Sequence, residues 1–340
     1  MSQSAITLGE SMWMIRSPGG RYADELLERG IVGLGWGETG PEIKKARSPQ
    51  DFYEIVSNHF DDYTDQQTIN AGRQLYKFFR EIEVDDPVMT YDSPRRTYHI
   101  GTIVGEAEIN PQEDDHFPNF RRVKWSHQIE RDKLSQAARN SLGSTLTLFQ
   151  PSDATVDEID KLILSPKTAT IETAPLADTE TEDPFANASE NSRELIKDRL
   201  MRLSWQDMQA LVAGVLRAMG YKTKVSPEGS DRGKDIIASP DGLGLEQPRI
   251  FVEVKHRKAQ QMGAPEVRKF IGGRDSQNDR CLFVSTGGFS TEAKYEAERA
   301  RVPLTLIDSD ELVELLLEYY EVADTETRAL LPLRKTYWPT

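Results

Sequence analysis

Residues 235–258 read "DIIASPDGLGLEQPRIFVEVKHRK" and contain two short apolar runs separated by a turn. The second run has the composition of a buried strand, yet Glu253 and Lys255 place opposite charges in it. Buried charges need a partner or a metal, because removing them from water is costly. Side chains alternate between the two faces of a strand, so Glu253 and Lys255 share one face while Val252 and Val254 share the other. The pattern predicts one core face and one chemical face.

Asp235 stands at the start of the first run, in "GSDRGKDII". If the two strands pair across the "SPDG" turn, Asp235 meets Glu253 and Lys255 at one point. Two carboxylates and a lysine are suited to hold Mg²⁺ on a phosphodiester and to position or deprotonate a water. The lysine can also stabilise charge in the transition state. A lone Glu-x-Lys pair is common on solvated strand faces, so the hypothesis depends on this pairing.

The rest of the C-terminal half alternates between strand and helix patterns. "SWQDMQALVAGVLRAMGY" is an amphipathic helix with Ser204 as its N-cap and Gly220 as its stop. Further strands are predicted at 222–225, 235–238, 250–255, 281–286 and 304–308, and further helices open at Pro265, after Ser290 and at 309. An antiparallel opening followed by strand and helix alternation predicts an α/β domain with a mixed sheet flanked by helices.

The order of "AMGY", "GSDRGKD", "VEVK" and "FVSTGGFSTEA" resembles the Mrr-like restriction endonucleases of the PD-(D/E)XK nuclease superfamily, over residues 203–317. The resemblance implies a restriction-endonuclease-like fold and a Mg²⁺-dependent endonuclease, with Mn²⁺ as a substitute, that cleaves foreign or modified DNA in a type IV restriction-like defence role. It implies that Asp235, Glu253 and the carbonyl of Val254 bind the metal and that Lys255 is the catalytic lysine. Relatives usually carry a glutamate where this chain has Gln209, whose neutral amide can hold a metal-bound water.

Five residues near this strand are candidates for DNA contact. His256, Arg257 and Lys258 follow the charged strand and either track the phosphate backbone or form a solvated strand end. In "STGGFST", Thr286 and Ser290 either meet a phosphate or serve as ordinary turn and helix-cap residues. Residues 217–280 contain thirteen Lys or Arg against nine Asp or Glu, which allows a local basic face.

The whole chain has 340 residues and a net charge of −14, of which −8 falls in residues 151–192. That acidic, Thr- and Pro-rich segment is typical of a flexible linker, so we divide the chain into domains at 1–150 and 193–340. Cys281 is the single cysteine, so an internal disulfide is excluded, and we expect this residue to lie in the core. Any metal that this chain binds should be a hard ion with oxygen ligands. No apolar run suits a membrane span or signal peptide, so a cytoplasmic location is expected.

The first 150 residues alternate short apolar runs with turns. Strands are predicted at 12–16, 31–36, 87–91, 97–105 and 121–125, and helices at 21–30 and 72–83. This pattern favours an α+β domain built around a small barrel. Four aromatic residues lie at strand ends and either fill the core or stack on a base extruded from DNA: Trp13, Trp36, Tyr91 and Trp125.

The order of these N-terminal segments, from 12 to 149, resembles PUA-like or EVE-like readers of modified bases. The resemblance implies a reader joined to a nuclease. Cleaving both strands of a duplex needs two active sites, so we expect a homodimer or larger assembly on DNA, with a partner protein of a defence system as a further candidate. Two alternatives stay open: a DNA-binding module whose nuclease is inactive or conditional, as Gln209 suggests, and a repair or junction nuclease with the same core.

Overall fold

The computed structural model describes residues 12–17, 22–110, 116–143, 146–164, 184–226, 235–243, 245–258, 260–272, 274 and 278–336. The chain divides into two compact units, Met1–Asn187 and Ala188–Thr340. The glycine-rich segment that precedes Asp235 lies outside the described residues. No helix in the described part of the chain combines the length and apolarity needed to cross a bilayer.

The first unit contains a curled half-barrel sheet. Its strands are β1 (Trp13–Ile15), β2 (Ile31–Leu34), β3 (Pro87–Asp92), β4 (Thr97–Ile103), β5 (Glu108–Ile109), β6 (Asn119–Glu130) and β7 (Leu148–Phe149). The order is β2-β6-β4-β3-β1-β7, with β5 on β6; β1 and β3 are parallel and the other pairs are antiparallel. The α+β class predicted for this half is confirmed.

Helices cover the sheet of the first unit. They are α1 (Ala23–Arg29), α2 (Pro49–His59), α3 (Asp65–Tyr76), α4 (Gln136–Ser141) and α5 (Asp153–Leu164), and α3 continues into a π-helical turn at Lys77–Glu81. Gly30 ends α1 in a left-handed conformation, as predicted. We did not predict α2, although Ser48 and Asp51 form a capping box at its start and Phe52 and Val56 are buried.

Part of the predicted linker, residues 151–192, is helical in the structure. Helix α5 occupies Asp153–Leu164 within that range, so the prediction of a flexible linker is wrong there. Val156, Ile159 and Leu162 are buried in the same cluster as Met89 of the sheet. These three apolar residues recur at helical spacing, which the acidic composition of the segment masks. Residues 165–183 lie outside the described residues.

The second unit is a mixed sheet flanked by helices, as predicted. Its elements are α6 (Pro184–Leu200), α7 (Trp205–Ala218), β8 (Lys222–Val225), β9 (Ile236–Ser239), β10 (Arg249–Lys255), α8 (Ala264–Ile271), β11 (Asp279–Ser285), α9 (Thr291–Glu298), β12 (Leu304–Ile307), α10 (Ser309–Tyr319) and α11 (Thr325–Leu330). The strand order is β12-β11-β10-β9-β8. Strands β8, β9 and β10 pair antiparallel, and β10, β11 and β12 pair parallel. Helix α6 begins at Pro184 and the second unit begins at Ala188, so both include residues that we had placed in the linker.

Two cores lie on the two faces of this second sheet. Helix α7 packs Leu211 and Val212 against Val252 and Val254 on one face. On the other face, α8 packs Val267 and Phe270 against Phe283, in a cluster that also contains Cys281. Burial raises the pKa of the Cys281 thiol to about 11, so it is a core residue without thiolate character at neutral pH.

Candidate active site

The antiparallel pairing of β9 with β10 places Asp235 beside Glu253. The register aligns Ile236 with Val252, and the Asp235 N–H donates to the carbonyl of Val252 at 2.9 Å. The Val254 N–H in turn donates to Oδ2 of Asp235 at 2.7 Å. The Asp235 carboxylate is therefore fixed to the backbone of the charged strand.

At its carboxyl end, strand β10 places two valines on one face and two charged residues on the other. Val252 and Val254 are fully buried against α7. On the opposite face, Nζ of Lys255 lies 2.6 Å from Oε1 of Glu253, and the two side chains are 31% and 11% exposed. The lysine reaches solvent while the carboxylate remains largely covered, and their ion pair explains how a core strand tolerates both charges.

The electrostatics of Asp235 show that the three predicted residues interact. Burial raises the pKa of Asp235, and the nearby charge of Glu253 raises it further. The Val254 N–H, the charge of Lys255 and the Gln209 side chain lower the pKa of the same group. A half-buried carboxyl beside a second carboxylate gains from a bound cation, because positive charge relieves both desolvation and repulsion.

Two buried side chains beside this cluster carry polar atoms that have no hydrogen-bond partner in the described part of the chain. One is Nε2 of Gln209 on α7, a residue only 2% exposed. The other is Oγ of Ser285, which is fully buried and aligned with Lys255 in the parallel pairing of β10 with β11. From the sequence we chose Thr286 as a candidate and missed Ser285. The sequence signal that could have identified Ser285 is its hydroxyl at the end of the apolar strand β11, which pairs with the charged strand β10.

The oxygen donors of the site suit a hard divalent cation. Among the described residues, no group of three or more His, Cys, Asp or Glu side chains could hold a metal. The site offers two carboxylates, Asp235 and Glu253, together with the amide of Gln209, whose Nε2 has no hydrogen-bond partner among the described residues. Magnesium is commonly held by one or two carboxylates, with water and substrate phosphate as the remaining ligands. Because amide oxygen and nitrogen are assigned from their partners, the Gln209 amide can also present its oxygen to a metal-bound water.

Most of the second unit matches a known protein family. Residues 200–316 match the family described as restriction endonuclease, Mrr_cat. These residues form an Mrr-type restriction endonuclease domain. Residues 13–150 match a family described as a domain of unknown function, DUF8426. The resemblance of the first unit to PUA-like or EVE-like readers therefore remains a prediction.

Individual relatives of the chain are distant. The protein y4cE of Sinorhizobium fredii is 32% identical over 98 residues, which cover 28% of this chain and 25% of that protein, so the match spans about a quarter of the relative. Among solved structures, the MspJI restriction endonuclease in complex with a 27-mer oligonucleotide is 11% identical, with a TM-score of 0.33 over 97% of this chain and 84% of that chain. The DNA modification-dependent restriction endonuclease AspBHI is 15% identical, with a TM-score of 0.32 over 76% and 73% of the two chains.

In the Mrr-type domain, His256 connects structural elements. Its Nε2 lies 3.1 Å from the carbonyl of Leu203, just before α7, and its Nδ1 lies 3.2 Å from Oγ1 of Thr286. Burial lowers the pKa of His256. A neutral imidazole donates from one nitrogen and accepts at the other, so Nε2 donates to Leu203 and Nδ1 accepts from Thr286. Both nitrogens are engaged, which corrects the prediction that His256 tracks the DNA backbone.

In the Mrr-type domain, Thr286 serves as a turn residue and Ser290 as a helix cap, which is the second of the two alternatives given above. Thr286 is 1% exposed, and its Oγ1 accepts a hydrogen bond from the Arg257 N–H at 3.0 Å. Ser290 caps α9 by accepting from the Ala293 N–H at 3.2 Å. The side chains of Arg257 and Lys258 are exposed, so these two residues remain the candidates for phosphate contact.

The four aromatic candidates of the first unit belong to two different clusters. Trp13 is buried and donates from Nε1 to Oδ2 of Asp86 at 2.9 Å, and half-buried Trp36 and Trp125 pack against the same cluster. Tyr91 is buried in the other cluster, with its ring 4.7 Å from that of Tyr98. Trp13 and Tyr91 are core residues, so the four side chains do not form a single base pocket.

Proposed function

We propose that the protein is a Mg²⁺-dependent endodeoxyribonuclease that hydrolyses DNA phosphodiester bonds and restricts foreign or modified DNA. The observation that carries this proposal is the convergence of Asp235, Glu253 and Lys255 at the paired ends of β9 and β10. The match of residues 200–316 to a restriction endonuclease family supports DNA as the substrate.

Asp235 and Glu253, with the carbonyl of Val254, would hold the metal ion. When bound, Mg²⁺ supplies Lewis-acid polarisation of the phosphate and lowers the pKa of a bound water. The structure shows Val254 contributing its N–H to Asp235. This bond orients the Asp235 carboxylate beside Glu253.

Lys255 would act on the nucleophile or on the developing phosphorane charge. Its amine is bonded to Glu253 and is partly exposed, so it can exchange that partner for a phosphate oxygen or a water when DNA is bound. A fixed ammonium group stabilises negative charge that develops in the transition state without reorganising at that moment. Arg257 and Lys258 follow directly after β10 and would position the backbone through phosphate contacts.

The proposal is tested by incubating the full chain with modified and unmodified plasmid in Mg²⁺, Mn²⁺ or EDTA. We expect metal-dependent cleavage that is lost in Glu253→Gln and Lys255→Ala. A matched control is Glu296→Gln, which removes a half-buried carboxylate of α9 that pairs with Arg268 of α8 at 2.8 Å in the same domain. Cleavage that persists in both active-site variants, or that needs no metal, contradicts the assignment.

A second candidate function is DNA binding without constitutive cleavage. It is favoured by Gln209, where relatives usually carry a third carboxylate and where this chain has a buried neutral amide. Tight duplex binding with no cleavage of any plasmid in either metal would support it. Cleavage of branched DNA in preference to linear duplex would instead favour a repair or junction nuclease.

A further inference from the structure

The hydroxyl of Ser285, at the carboxyl end of β11, is fully buried and has no hydrogen-bond partner among the described residues. Two other buried hydroxyls of this unit are paired. Ser239 donates to Oδ1 of Asp241 at 2.8 Å, and Oγ1 of Thr286 accepts from the Arg257 N–H at 3.0 Å. An unsatisfied buried hydroxyl destabilises a folded protein, whereas an alanine at the same position would not. The hydroxyl of Ser285 therefore calls for a partner in another state of the site.

Ser285 stands beside Lys255 on the charged face of the sheet. The parallel pairing of β10 with β11 aligns Lys255 with Ser285 and Glu253 with Phe283. Val284 belongs to the core under α7 and Phe283 to the core under α8, so alternation turns Ser285 to the same face as Phe283. Adjacent strands lie about 4.8 Å apart, a distance that the four-carbon side chain of a lysine spans easily. The hydroxyl is therefore within reach of the Lys255 ammonium group.

Backbone hydrogen bonds fix this hydroxyl relative to the lysine. The Thr286 N–H donates to the carbonyl of Lys255 at 3.0 Å, and the Gly288 N–H donates to the carbonyl of Ser285 at 3.1 Å. These bonds hold the ends of β10 and β11 in place. Bringing the ammonium group to the hydroxyl therefore requires rotation of one lysine side chain and no movement of the backbone.

Lys255 has a partner in this structure that competes with the proposed metal ion. Its Nζ lies 2.6 Å from Oε1 of Glu253, and its side chain is 31% exposed, so it has room to rotate. The pair weakens once the Glu253 carboxylate also holds a cation, because two positive charges beside one carboxylate repel each other. An ammonium group has three N–H donors and no acceptor, so Lys255 then needs another oxygen.

We infer that Ser285 is a positioning residue for Lys255, and that its Oγ accepts a hydrogen bond from the ammonium group once Glu253 holds the metal ion. The other N–H groups of Lys255 stay available for the attacking water or a phosphate oxygen. A lysine held in this way is preorganised to stabilise negative charge in the transition state. The inference rests on the proposed function, because it takes Asp235 and Glu253 as the metal ligands.

Thermal unfolding of the full chain in EDTA and in Mg²⁺ tests this exchange of partners without relying on cleavage. In EDTA, Ser285→Ala should melt at or above the wild-type temperature, because it removes an unsatisfied hydroxyl. Mg²⁺ should raise the melting temperature of the wild type about 2–4 °C more than that of Ser285→Ala, since only the wild type gains the new hydrogen bond. In a Lys255→Met background, the gain from Mg²⁺ should be the same with or without Ser285→Ala.

Ser309→Ala is the matched control. Ser309 is also fully buried, and its Oγ likewise has no hydrogen-bond partner within the described part of the chain. It begins α10 after β12, and β11 separates β12 from β10. Ser309→Ala should therefore resemble Ser285→Ala in EDTA, but it should gain as much from Mg²⁺ as the wild type and cleave at the wild-type rate.

Single-turnover cleavage at saturating protein measures the catalytic consequence. Ser285→Ala should lower the rate about tenfold or more, because the lysine loses its fixed position, while the affinity for duplex DNA in EDTA is unchanged. In a Lys255→Met background, Ser285→Ala should cause no further loss, since Ser285 acts only through the lysine. A merely structural contribution would lower the rate by the same factor in both backgrounds.

Equal gains from Mg²⁺ in the wild type and Ser285→Ala overturn the inference, as does an equal fractional loss of cleavage in both backgrounds. No gain from Mg²⁺ in any of these proteins contradicts the metal site on which the proposed function and the inference both depend. A larger gain in the wild type than in Ser285→Ala, in a protein that cleaves no DNA, supports the exchange of partners and contradicts the proposed nuclease.

Discussion

Nζ of Lys255 lies 2.6 Å from Oε1 of Glu253, two residues away on the same face of β10. This ion pair stands next to the Asp235 carboxylate, whose pKa responds to both charges. The ion pair explains how this strand can contain both charges, because each charge neutralises the other. Val252 and Val254, on the opposite face, point into the core. The predictions below separate its chemical role from its contribution to stability.

Replacing Lys255 with methionine should slow cleavage and also lower stability by a moderate amount. Lys255 is partly exposed but Glu253 is largely covered, so loss of the lysine leaves a poorly solvated carboxylate without its partner and should cost about 1–3 kcal/mol. Loss of a charge-stabilising donor should lower the cleavage rate about 100-fold or more. Single-turnover cleavage and urea unfolding of the same preparation check this. A large loss of stability with a small loss of rate would assign Lys255 to the fold.

Asp235→Asn should change how stability depends on pH. Because the pKa of Asp235 is raised in the folded state, the folded protein binds this proton more tightly than the unfolded chain. The wild type therefore loses stability as pH rises from the ordinary aspartate range through the raised pKa. The asparagine variant should lack this decline. Urea unfolding in EDTA between about pH 4 and 7 measures it, and parallel curves for the two proteins would contradict the assignment.

Gln209→Glu should make stability more dependent on magnesium. The residue is 2% exposed and its side chain lowers the pKa of Asp235, so a new carboxylate there adds buried negative charge. Without metal, the variant should melt at a lower temperature than the wild type. Added Mg²⁺ should restore more of the melting temperature in the variant than it adds to the wild type. A shift by Mg²⁺ that is no larger than in the wild type would place Gln209 outside the metal site.

His256→Gln should destabilise the second unit at neutral pH. The imidazole connects Leu203 and Thr286, and losing such hydrogen bonds costs about 1–2 kcal/mol. Because the folded pKa of His256 is lowered, the wild type loses its advantage as pH falls through the unfolded histidine pKa of about 6.5. The difference between the two proteins should therefore shrink in acid. His59→Gln, at the exposed end of α2, is the control and should show no comparable loss.

Ile159→Ala should destabilise the first unit, although the residue lies in an acidic segment. Ile159 is 1% exposed in α5, and truncating a buried isoleucine typically costs about 2–5 kcal/mol. Lys161→Ala changes an exposed residue of the same helix and should have little effect. Thermal unfolding of both variants tests this, and equal melting temperatures would mean that the segment does behave as a linker.

The elements of the second unit were predictable because their signals are local. Ser204 and Ser290 cap helices through their own side chains, and the alternation of "IFVEVK" assigns faces within one strand. The turn between two neighbouring predicted strands also predicted the meeting of Asp235 with Glu253. Local sequence carries such information since capping and alternation involve residues within a few positions of one another.

Other features depended on contacts between distant parts of the chain. Helix α5 is held by burial against α4 and β6, which its acidic composition does not reveal. The engagement of His256 by Leu203, and the alignment of Ser285 with Lys255, follow from packing and strand register. The amino-acid sequence by itself determined the second sheet and its charged strand. Tertiary structure decided which polar groups are satisfied, because burial and hydrogen-bond pairing exist only after distant segments come together.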